Sequence, residues 1–371
     1  MTRDCSGLGF AVAALLLSTN VARAQTPAPA PAIRIAETER VLATLVETYG
    51  VSGSERRVRD AVRRLLPAWA KPEVDTAGNL RLTVGTGDPA VVFMAHLDEV
   101  GFAITAIEDD GTLDLASVGG AFATLWEGQP ALVHAEHGPI PGVFVPHDYR
   151  ADTSAAPQAI VRADVGASSR AAAESLGVQI GQTVTMPKSY TRLAGMRATG
   201  RSFDDRVGSA ALVLAVRHLD RARLRHKVIF IWSVREEIGL EGARAAADAI
   251  GGHAARVHAI DTFVSSDSPL ESPYLALAPL GQGPVARALD NSSVTPPVYL
   301  DSLAAVARRV GVPLQIGTTG GGNDGSVFVQ YGVPDVPIGW PLRYSHSPAE
   351  VADLRDVTGL ARLVQAIAEG W

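Results

Sequence analysis

The sequence predicts an α/β fold, with a mixed sheet flanked by helices and an inserted β-rich domain. Three apolar runs without charged residues, at 91–95, 228–234 and 257–260, predict buried strands. Segments with apolar residues at helical spacing, such as 35–49, surround these runs. From residue 105 to 192 the chain changes to short strand-like pieces rich in glycine and proline, and this change predicts the insert.

The composition is typical of a globular protein with a large core. Of the 371 residues, 47% are hydrophobic and 19% are charged. A net charge of -6, a pI near 5.9 and the absence of a basic run argue against a nucleic-acid partner. The sequence contains no G-x-x-x-x-G-K-[ST] phosphate-binding motif, and the glycines at 320–322 do not follow a strand as a dinucleotide fingerprint would.

The amino-terminal segment predicts export. Residues 8–19 form an apolar run that is too short to span a membrane, and an A-x-A cleavage pattern follows at 22–24. We therefore expect a signal peptide over residues 1–24, and a mature chain that starts at Gln25 in the periplasm or outside the cell. The alternating prolines and alanines of residues 25–33 predict an extended linker.

The remaining chain is expected to form one α/β domain that is interrupted once. Helical spacing over 35–49 and 54–69 and short strands over 73–87 precede the first buried run, and the α/β pattern resumes near Gly200. The predicted parts are the first catalytic segment over 34–104, the inserted β-rich domain over 105–192 and the second catalytic segment over 193–371.

Polar side chains stand where the predicted strands end. His96 ends the first run and Asp98 follows it, Glu236 and Glu237 follow the second run, and Asp261 ends the third. Functional groups in open α/β sheets lie just beyond the carboxyl ends of the strands. An imidazole with a carboxylate two residues away can serve as a metal ligand with its orienting partner.

Two further motifs carry candidate ligands. Asp204 and Asp205 open a helical pattern in S-F-D-D-R-V-G, and His346 lies in R-Y-S-H-S-P after the strand-like V-P-I-G-W. Taken alone, the two aspartates could be an ordinary helix cap, the glutamate pair a solvated helix start, and His346 a turn residue. Two histidines and several carboxylates at the carboxyl-terminal edge of one sheet nevertheless favour a metal site over a structural role.

Two acidic residues remain open alternatives. Asp267 in V-S-S-D-S-P competes with Asp261, which we prefer because Asp261 ends its strand directly. Asp324, in the glycine-rich segment 318–326, is expected either to contact substrate or to stabilise a turn, while the segment itself is expected to line the site.

Five motifs together resemble the tetrahedral aminopeptidases, which include glutamyl, leucyl and lysyl aminopeptidases and some proteins once labelled endoglucanases. The motifs occur in the family's order from about residue 38 to 368: A-H-L-D-E-V-G-F, D-V-G-A-S-S, F-D-D-R-V-G, R-E-E-I-G-L-E-G-A-R and R-Y-S-H-S-P. The resemblance implies a phosphorylase/hydrolase-like α/β domain that holds two zinc or cobalt ions. It also implies a barrel- or PDZ-like insert that is used in oligomerisation.

The resemblance also implies a role for each candidate residue. His96 and Asp261 would bind the first metal ion, Glu237 and His346 the second, and Asp204 would bridge both. Asp98 would be the carboxylate that orients His96. Glu236 would be the general base, and Asp98 and Glu236 together would be the catalytic residues. In such sites a shared water attacks the scissile carbonyl, and the base takes its proton and passes it to the leaving amine.

We therefore expect an exported metallo-aminopeptidase that acts on short peptides and forms a homo-oligomer through its insert. A metal-dependent deacylase or carboxypeptidase on the same scaffold is a second hypothesis. A non-catalytic binding protein that kept the fold is a third, against which the complete set of ligand types and the additional Glu236 argue. Neither a nucleic acid nor a membrane span is expected.

Overall fold

The computed structural model describes residues 32–146, 161–265, 267 and 277–371, together with Met1. The chain divides into two units, Met1–Ala30 and Pro31–Trp371, and everything below concerns the second unit. The predicted signal peptide and most of the predicted linker lie outside the described residues. Within the described residues, no helix combines the length and apolar character that crossing a bilayer requires.

Eight α-helices lie in the described chain. They are α1 Ile35–Val46, α2 Arg56–Leu65, α3 Ala123–Trp126, α4 Arg170–Ser175, α5 Phe203–His218, α6 Glu241–Ile250, α7 Pro297–Arg309 and α8 Leu354–Gly370. Short 3₁₀ helices are Arg221–Arg223, Gly251–His253 and Asp324–Tyr331. The predicted helices over 35–49 and 54–69 are thus present as α1 and α2, each ending a few residues earlier than the sequence suggests.

Nineteen strands are described. The strands up to the barrel's end are β1 Glu73–Val74, β2 Leu80–Val84, β3 Ala90–His96, β4 Gly101–Ile107, β5 Leu113–Val118, β6 Pro130–Ala135, β7 Gly138–Phe144, β8 Val161–Asp164 and β9 Thr183–Thr185. The later strands are β10 Thr191–Arg192, β11 Arg197–Gly200, β12 Val228–Ser233, β13 Ala254–Ala259, β14 Phe263–Val264, β15 Val285–Leu289, β16 Gln315–Thr318, β17 Ile338–Gly339, β18 Pro341–Leu342 and β19 Glu350–Asp353.

The central sheet is mixed, in the order β1-β2-β12-β3-β13. Strands β12, β3 and β13 are parallel, and their register pairs Ser233 with His96 and Ala259 with Met94. All of β3 is buried, as expected for a strand whose two faces are both covered. The parallel register brings the carboxyl ends of these strands to one edge, so the predicted polar residues meet there.

Helix α5 is the central helix of the α/β core. Its residues from Phe203 to Val216 are all buried, because the segment is apolar around most of its circumference and packs among α1, α8 and β3. The sequence suggests that Asp204 and Asp205 open this helix. Both residues instead have non-helical backbone angles, so regular helical geometry begins after them, and their carboxylates turn toward the sheet edge.

A closed six-stranded barrel lies between β3 and β11, with the strand order β4-β5-β8-β7-β6-β9. Its interior is apolar, and the rings of Phe102, Trp126 and Phe144 contact one another edge-on or tilted inside it. The α/β class with a β-rich insert is therefore confirmed. The division of the chain into domains at 105 and 192 stays a prediction.

A buried cluster of charges joins the barrel to the α/β core. Glu99, which follows β3, contacts the Lys188 ammonium, and the guanidinium groups of Arg201 and Arg206 lie 3.4 and 3.7 Å from its carboxylate. The Gly50 backbone N–H also donates to Glu99, at 2.8 Å. Burial would raise the pKa of Glu99, but Arg201, Lys188 and Arg206 hold it well below its ordinary value. The carboxylate is therefore ionised, and its charge holds these cationic side chains together where the barrel meets the α/β core.

Candidate metal centre

The candidate site lies at the edge where β3, β12 and β13 end. The structure brings together His96, Asp204, Glu237, Asp261 and His346, which all line one cavity. These residues come from five separate segments, so only the tertiary structure makes them neighbours. Their side chains are buried or partly buried, which removes them from competing contacts with water.

His96 presents one ring nitrogen to the cavity side of the cluster. Its Nε2 lies 3.2 Å from Asp204 Oδ1, and its Nδ1 lies 3.5 Å from Asp98 Oδ1. The backbone N–H of His96 donates to Asp205 Oδ2 at 2.9 Å. A carboxylate behind Nδ1 favours the tautomer that leaves the Nε2 lone pair free for a metal ion.

Asp98 does not line the cavity but positions the residues that do. Its carboxylate accepts hydrogen bonds from Ser52 Oγ at 2.6 Å and from the backbone N–H groups of Glu236 and Glu237 at 3.0 and 3.2 Å. One buried carboxylate thus holds the segment after β12 beside the end of β3.

Asp204 lies between the two histidines. Its Oδ1 faces His96, and its Oδ2 lies 3.5 Å from Nε2 of His346. Glu237 Oε1 lies 3.4 Å from the same His346 nitrogen. Each oxygen of Asp204 therefore faces a different half of the cluster, as a bridging carboxylate would.

Asp205 has a different, structural role. Its two oxygens accept hydrogen bonds from the backbone N–H groups of His96 and Gly208, both at 2.9 Å. These bonds stabilise the start of α5 and tie it to the end of β3. Of the adjacent pair, Asp204 is thus the one whose carboxylate faces the cluster.

The structure also separates Asp261 from Asp267. Asp261 follows the end of β13 by two residues and lies with His96 and Asp204 in one group of candidate ligand atoms. Asp267 forms a paired contact with the Arg343 guanidinium, at 2.8 and 2.7 Å, and is not among the residues that line the cavity. That pairing explains why a carboxylate occurs there without contributing to the cluster.

Glu236 and Glu237 are adjacent but face different neighbours. Glu236 Oε2 lies 4.0 Å from His96 Nε2, whereas Glu237 contacts His346. The Glu236 side chain is 14% exposed and that of Glu237 is 7% exposed. Glu236 is thus the member of the pair more open to a molecule in the cavity.

Sequence reasoning missed Glu350, which holds two candidate ligands from behind. Its carboxylate accepts hydrogen bonds from the backbone N–H groups of Phe203 at 2.5 Å, Asp204 at 3.3 Å and His346 at 2.8 Å. Burial and the nearby Asp204 raise its pKa to about 8. Glu350 is the first residue of the strand that follows the R-Y-S-H-S-P motif. This position, just after the loop that carries His346, was the one sequence signal that could have identified it.

Arg287 is a second residue that the sequence did not reveal. This buried arginine on β15 lines the cavity, with its guanidinium 3.4 Å from Asp261 Oδ2 and 3.6 Å from Asp290 Oδ2. It also donates to the carbonyl of Gly322 at 3.1 Å. A single arginine in an apolar strand gives no pattern from which a role could be predicted.

Backbone strain concentrates at the site. In the part of the chain that the structure describes, the non-glycine residues with positive φ are Ser202, Arg235, Leu240, Tyr344 and His346, with φ between 53° and 69°. Each lies in the cluster or within a few residues of it. Strained backbone that persists beside a set of polar side chains is typical of a functional site.

The cluster opens into a cavity of about 520 Å³. Gly320, Gly321 and Gly322 line it, together with apolar side chains such as Leu240 and Val264. The glycine-rich segment thus borders the site, as expected. Asp324 is buried and accepts a hydrogen bond from Ser233 Oγ, and it is not among the residues that line the cavity, so a structural role fits it better than substrate contact.

The electrostatics of the cluster favour positive charge. Burial would lower the pKa of His346, but the Asp204 and Glu237 carboxylates raise it to about 12. Burial raises the pKa of Asp261 to about 6, with Asp204 adding to the effect, and burial and Glu237 raise the pKa of Glu236 well above its usual range. A set of buried carboxylates that repel one another and pull protons onto a histidine is a set that cations would stabilise.

The donor atoms also fit divalent metal ions. Three groups have ligand atoms within 4.8 Å of one another: His96 with Asp204 and Asp261, Asp204 with Glu237 and His346, and His96 with Glu236 and Glu237. Imidazole nitrogens with carboxylate oxygens are ligands that zinc and similar ions accept. The first two groups share Asp204, so together they could hold a pair of ions.

The sequence profile described as M42 glutamyl aminopeptidase matches residues 78–363. Two relatives are each 31% identical to the chain. A putative aminopeptidase of Acetivibrio thermocellus covers 86% of the chain and 94% of its own length, and the lysyl aminopeptidase of Pyrococcus furiosus covers 88% and 95%.

Solved structures give the same result. The TET1 peptidase of Pyrococcus horikoshii, described as assembling into a tetrahedron or a large octahedral shell, superposes with a TM-score of 0.82 at 35% identity, covering 89% of this chain and 99% of its own. A Thermotoga maritima protein described as an endoglucanase gives a TM-score of 0.70 at 27% identity, covering 88% and 96%. The expected resemblance to tetrahedral aminopeptidases, some of them labelled endoglucanases, is confirmed.

The predicted periplasmic or secreted location is wrong. The relatives include the TET1 peptidase of Pyrococcus horikoshii and the lysyl aminopeptidase of Pyrococcus furiosus, and this relationship contradicts an exported chain. The apolar run and the A-x-A pattern on which the prediction depended lie outside the described residues. A short apolar run with small residues after it is a compositional signal, which physical chemistry does not restrict to exported chains.

The geometry predicts opposite effects for two adjacent substitutions. Asp204→Asn removes the charge between the two histidines, so metal binding should weaken strongly while the fold survives. Asp205→Asn places an amide N–H2 against a backbone N–H donor, so it should cost about 1–3 kcal/mol of unfolding free energy while metal binding persists. Chemical denaturation and metal analysis of both purified variants check this, and a reversal of the two patterns would contradict the assignment.

Proposed function

The chain belongs to the M42 glutamyl aminopeptidase family, and on that premise we propose that it is a dinuclear metal-dependent aminopeptidase that acts on short peptides. Family membership makes the chain a peptide hydrolase. The observation that carries the finer proposal is the pair of candidate ligand groups that share Asp204.

The proposal assigns ligands by these two groups. His96 and Asp261 would hold the first ion, Glu237 and His346 the second, and Asp204 both. The opposed directions of the Asp204 oxygens support the bridging role, since Oδ1 faces His96 and Oδ2 faces His346. Zinc is the ion that this nitrogen and oxygen set suits best, and cobalt is an alternative with similar ligand preferences.

Glu236 is proposed as the general base. It lines the cavity beside His96, and neither of the two groups that share Asp204 needs it as a ligand. Its backbone N–H is held by Asp98, which keeps the carboxylate at the edge of the cluster. A base for this reaction needs a carboxylate within reach of a water molecule at the metal pair, and the position of Glu236 fits that requirement.

The reaction would use the residues as follows. Metal ions held by His96, Asp204, Glu237, Asp261 and His346 would supply Lewis acidity for the scissile carbonyl and for an attacking water molecule. Glu236 would accept the proton from that water and return it to the leaving amine. Asp98 would contribute indirectly, because it orients His96 and holds both glutamates in place. Arg287, the glycine segment and the apolar lining would exclude bulk water and bound the substrate.

Self-association through the barrel is also proposed. The TET1 peptidase of Pyrococcus horikoshii assembles into closed shells, and this chain covers nearly all of its length. The barrel carries the D-V-G-A-S-S motif whose counterpart in the family belongs to the oligomerisation domain. A closed assembly would admit short peptides to the cavity and exclude folded proteins.

The purified protein should hold about two divalent ions per chain, and chelation should abolish peptide hydrolysis reversibly, because deprotonated ligands must converge on both ions. Metal analysis and assays with aminoacyl chromogenic substrates measure this. His346→Ala should lose one ion, whereas His137→Ala, an exposed histidine on the β6–β7 turn, should keep both. A metal-free preparation with full activity would refute the proposal.

Glu236 and Glu237 should respond differently to the same substitution. Glu236→Gln keeps the shape but removes the proton acceptor, so both ions should stay while kcat falls by about 10²–10⁴-fold. Glu237→Gln should lower the occupancy of one ion site. Metal content and kcat measured on both variants decide the matter, and if their behaviour were exchanged, base and ligand would have to be exchanged as well.

Mass measurement in solution tests the assembly. We expect a homo-oligomer that hydrolyses peptides of a few residues but leaves a folded protein substrate intact, because the cleft would face an enclosed space. Light scattering gives the mass, and digestion of a compact reporter protein gives the size limit. A strict monomer that degrades the folded reporter would contradict both parts of this proposal.

A further inference from the structure

We propose that the barrel loop Gly119 to Phe122, which connects β5 to α3, completes the metal centre from outside the α/β domain: Gly120 positions His346, and Phe122 forms one wall of the cavity. The inference rests on the proposed dinuclear site and deepens it. It also extends the role expected for the insert, which the sequence limits to assembly.

The first contact is a hydrogen bond to the far side of the His346 ring. Nδ1 of His346 lies 3.2 Å from the Gly120 carbonyl oxygen, while Nε2 faces Asp204 and Glu237. A carbonyl can only accept, so this contact requires a proton on Nδ1, and Nε2 is then the ring nitrogen that can bind an ion. Such a partner sets both the tautomer and the orientation of a metal-binding histidine.

The two histidines of the centre are therefore oriented by different domains. His96 is buried and has Asp98, from its own strand end, behind Nδ1. His346 is 24% exposed and lies in a loop, where its backbone N–H is held by Glu350 and its ring is held by the barrel. A partly exposed ring depends more on such a contact, since close packing does not immobilise it.

Close approach explains why glycines occupy this loop. A Cβ atom on Gly120 would lie 2.7 Å from His346 Nδ1 and 3.0 Å from Cε1, which is too near for the present ring position. Gly119 has φ +76°, and a Cβ there would lie 3.1 Å from the Glu237 Cβ. The loop thus packs against both residues proposed for the second ion.

Phe122 is the loop's contribution to the cavity itself. Its ring lines the cavity, is 56% exposed and has its centroid 6.4 Å from that of His346. An aromatic side chain that stays exposed beside a polar cluster offers an apolar surface to a bound peptide. We assign Phe122 the role of an apolar contact for the peptide on the His346 side of the cavity.

Gly120→Ala tests the positioning role. Gly120 does not have positive φ, so the added methyl group should strain the His346 ring and not the backbone. The matched control is Gly252→Ala, where a Cβ would meet nothing within 4 Å. We expect the affinity for the second ion to fall by about 10–100-fold in Gly120→Ala alone, with the first ion retained.

Two readouts separate positioning from general damage. Calorimetric titration with zinc of the metal-depleted protein should show one weakened site, and excess zinc should restore much of the lost kcat, whereas a damaged fold would not recover. If Gly120→Ala binds two ions as tightly as Gly252→Ala and the wild type, with equal kcat, the positioning role is overturned. A wild type without bound ions or activity would instead refute the proposed function.

Phe122→Ala tests whether the Phe122 side chain forms one wall of the cavity, and this test remains informative if the Gly120→Ala variant does not fold. We expect KM for peptides to rise about 10-fold or more, while both ions stay bound. The control is Leu125→Ala, because Leu125 lies in α3 just after the loop, is 41% exposed and is not among the cavity-lining residues. Equal KM values for Phe122→Ala, Leu125→Ala and the wild type would overturn the assignment of the loop to the site.

Discussion

The carboxylate of Asp98 is the constraint on which the site depends. Burial would raise its pKa, but the nearby His96 imidazole and hydrogen bonds from Ser52 and the Glu236 backbone lower it below the ordinary value, so the group stays ionised inside the protein. An ionised buried carboxylate must keep its donors, because losing one leaves an uncompensated charge. That requirement holds the end of β3, the loop before α2 and the segment after β12 at one point.

Glu99 applies the same principle one residue further along the chain. Its buried charge gathers Lys188, Arg201 and Arg206, which come from the barrel exit and from the start of α5. The end of β3 thus carries a metal-ligand candidate, a carboxylate that orients it and a carboxylate that anchors the barrel. Because the barrel is held at this point, its Gly119 to Phe122 loop can reach His346 with a defined geometry.

The charges of the clustered side chains are consistent with a site that binds cations. Its carboxylates are buried together, burial and the neighbouring Asp204 raise the pKa of Asp261 to about 6, and Asp204 and Glu237 raise the pKa of His346. Divalent ions would replace those protons and balance the carboxylates, which agrees with metal-dependent hydrolysis in a peptidase family. Glu350 binds the His346 backbone and Arg287 contacts Asp261 from the cavity lining, so these candidate ligands are held in position by the protein itself.

The sequence by itself determined the fold class and the candidate residues. Uncharged runs must be buried, parallel strands align their carboxyl ends, and a polar residue at such an end is therefore near others of its kind. For the two acidic pairs in which the sequence already preferred one member, only the tertiary structure gave the physical reason: the carboxylate of Asp204 faces the cluster because the chain turns before α5, and Asp267 is held away from it by Arg343. The roles of Glu350, Arg287 and Gly120 were not predicted from the sequence, since their contacts join segments far apart in the chain.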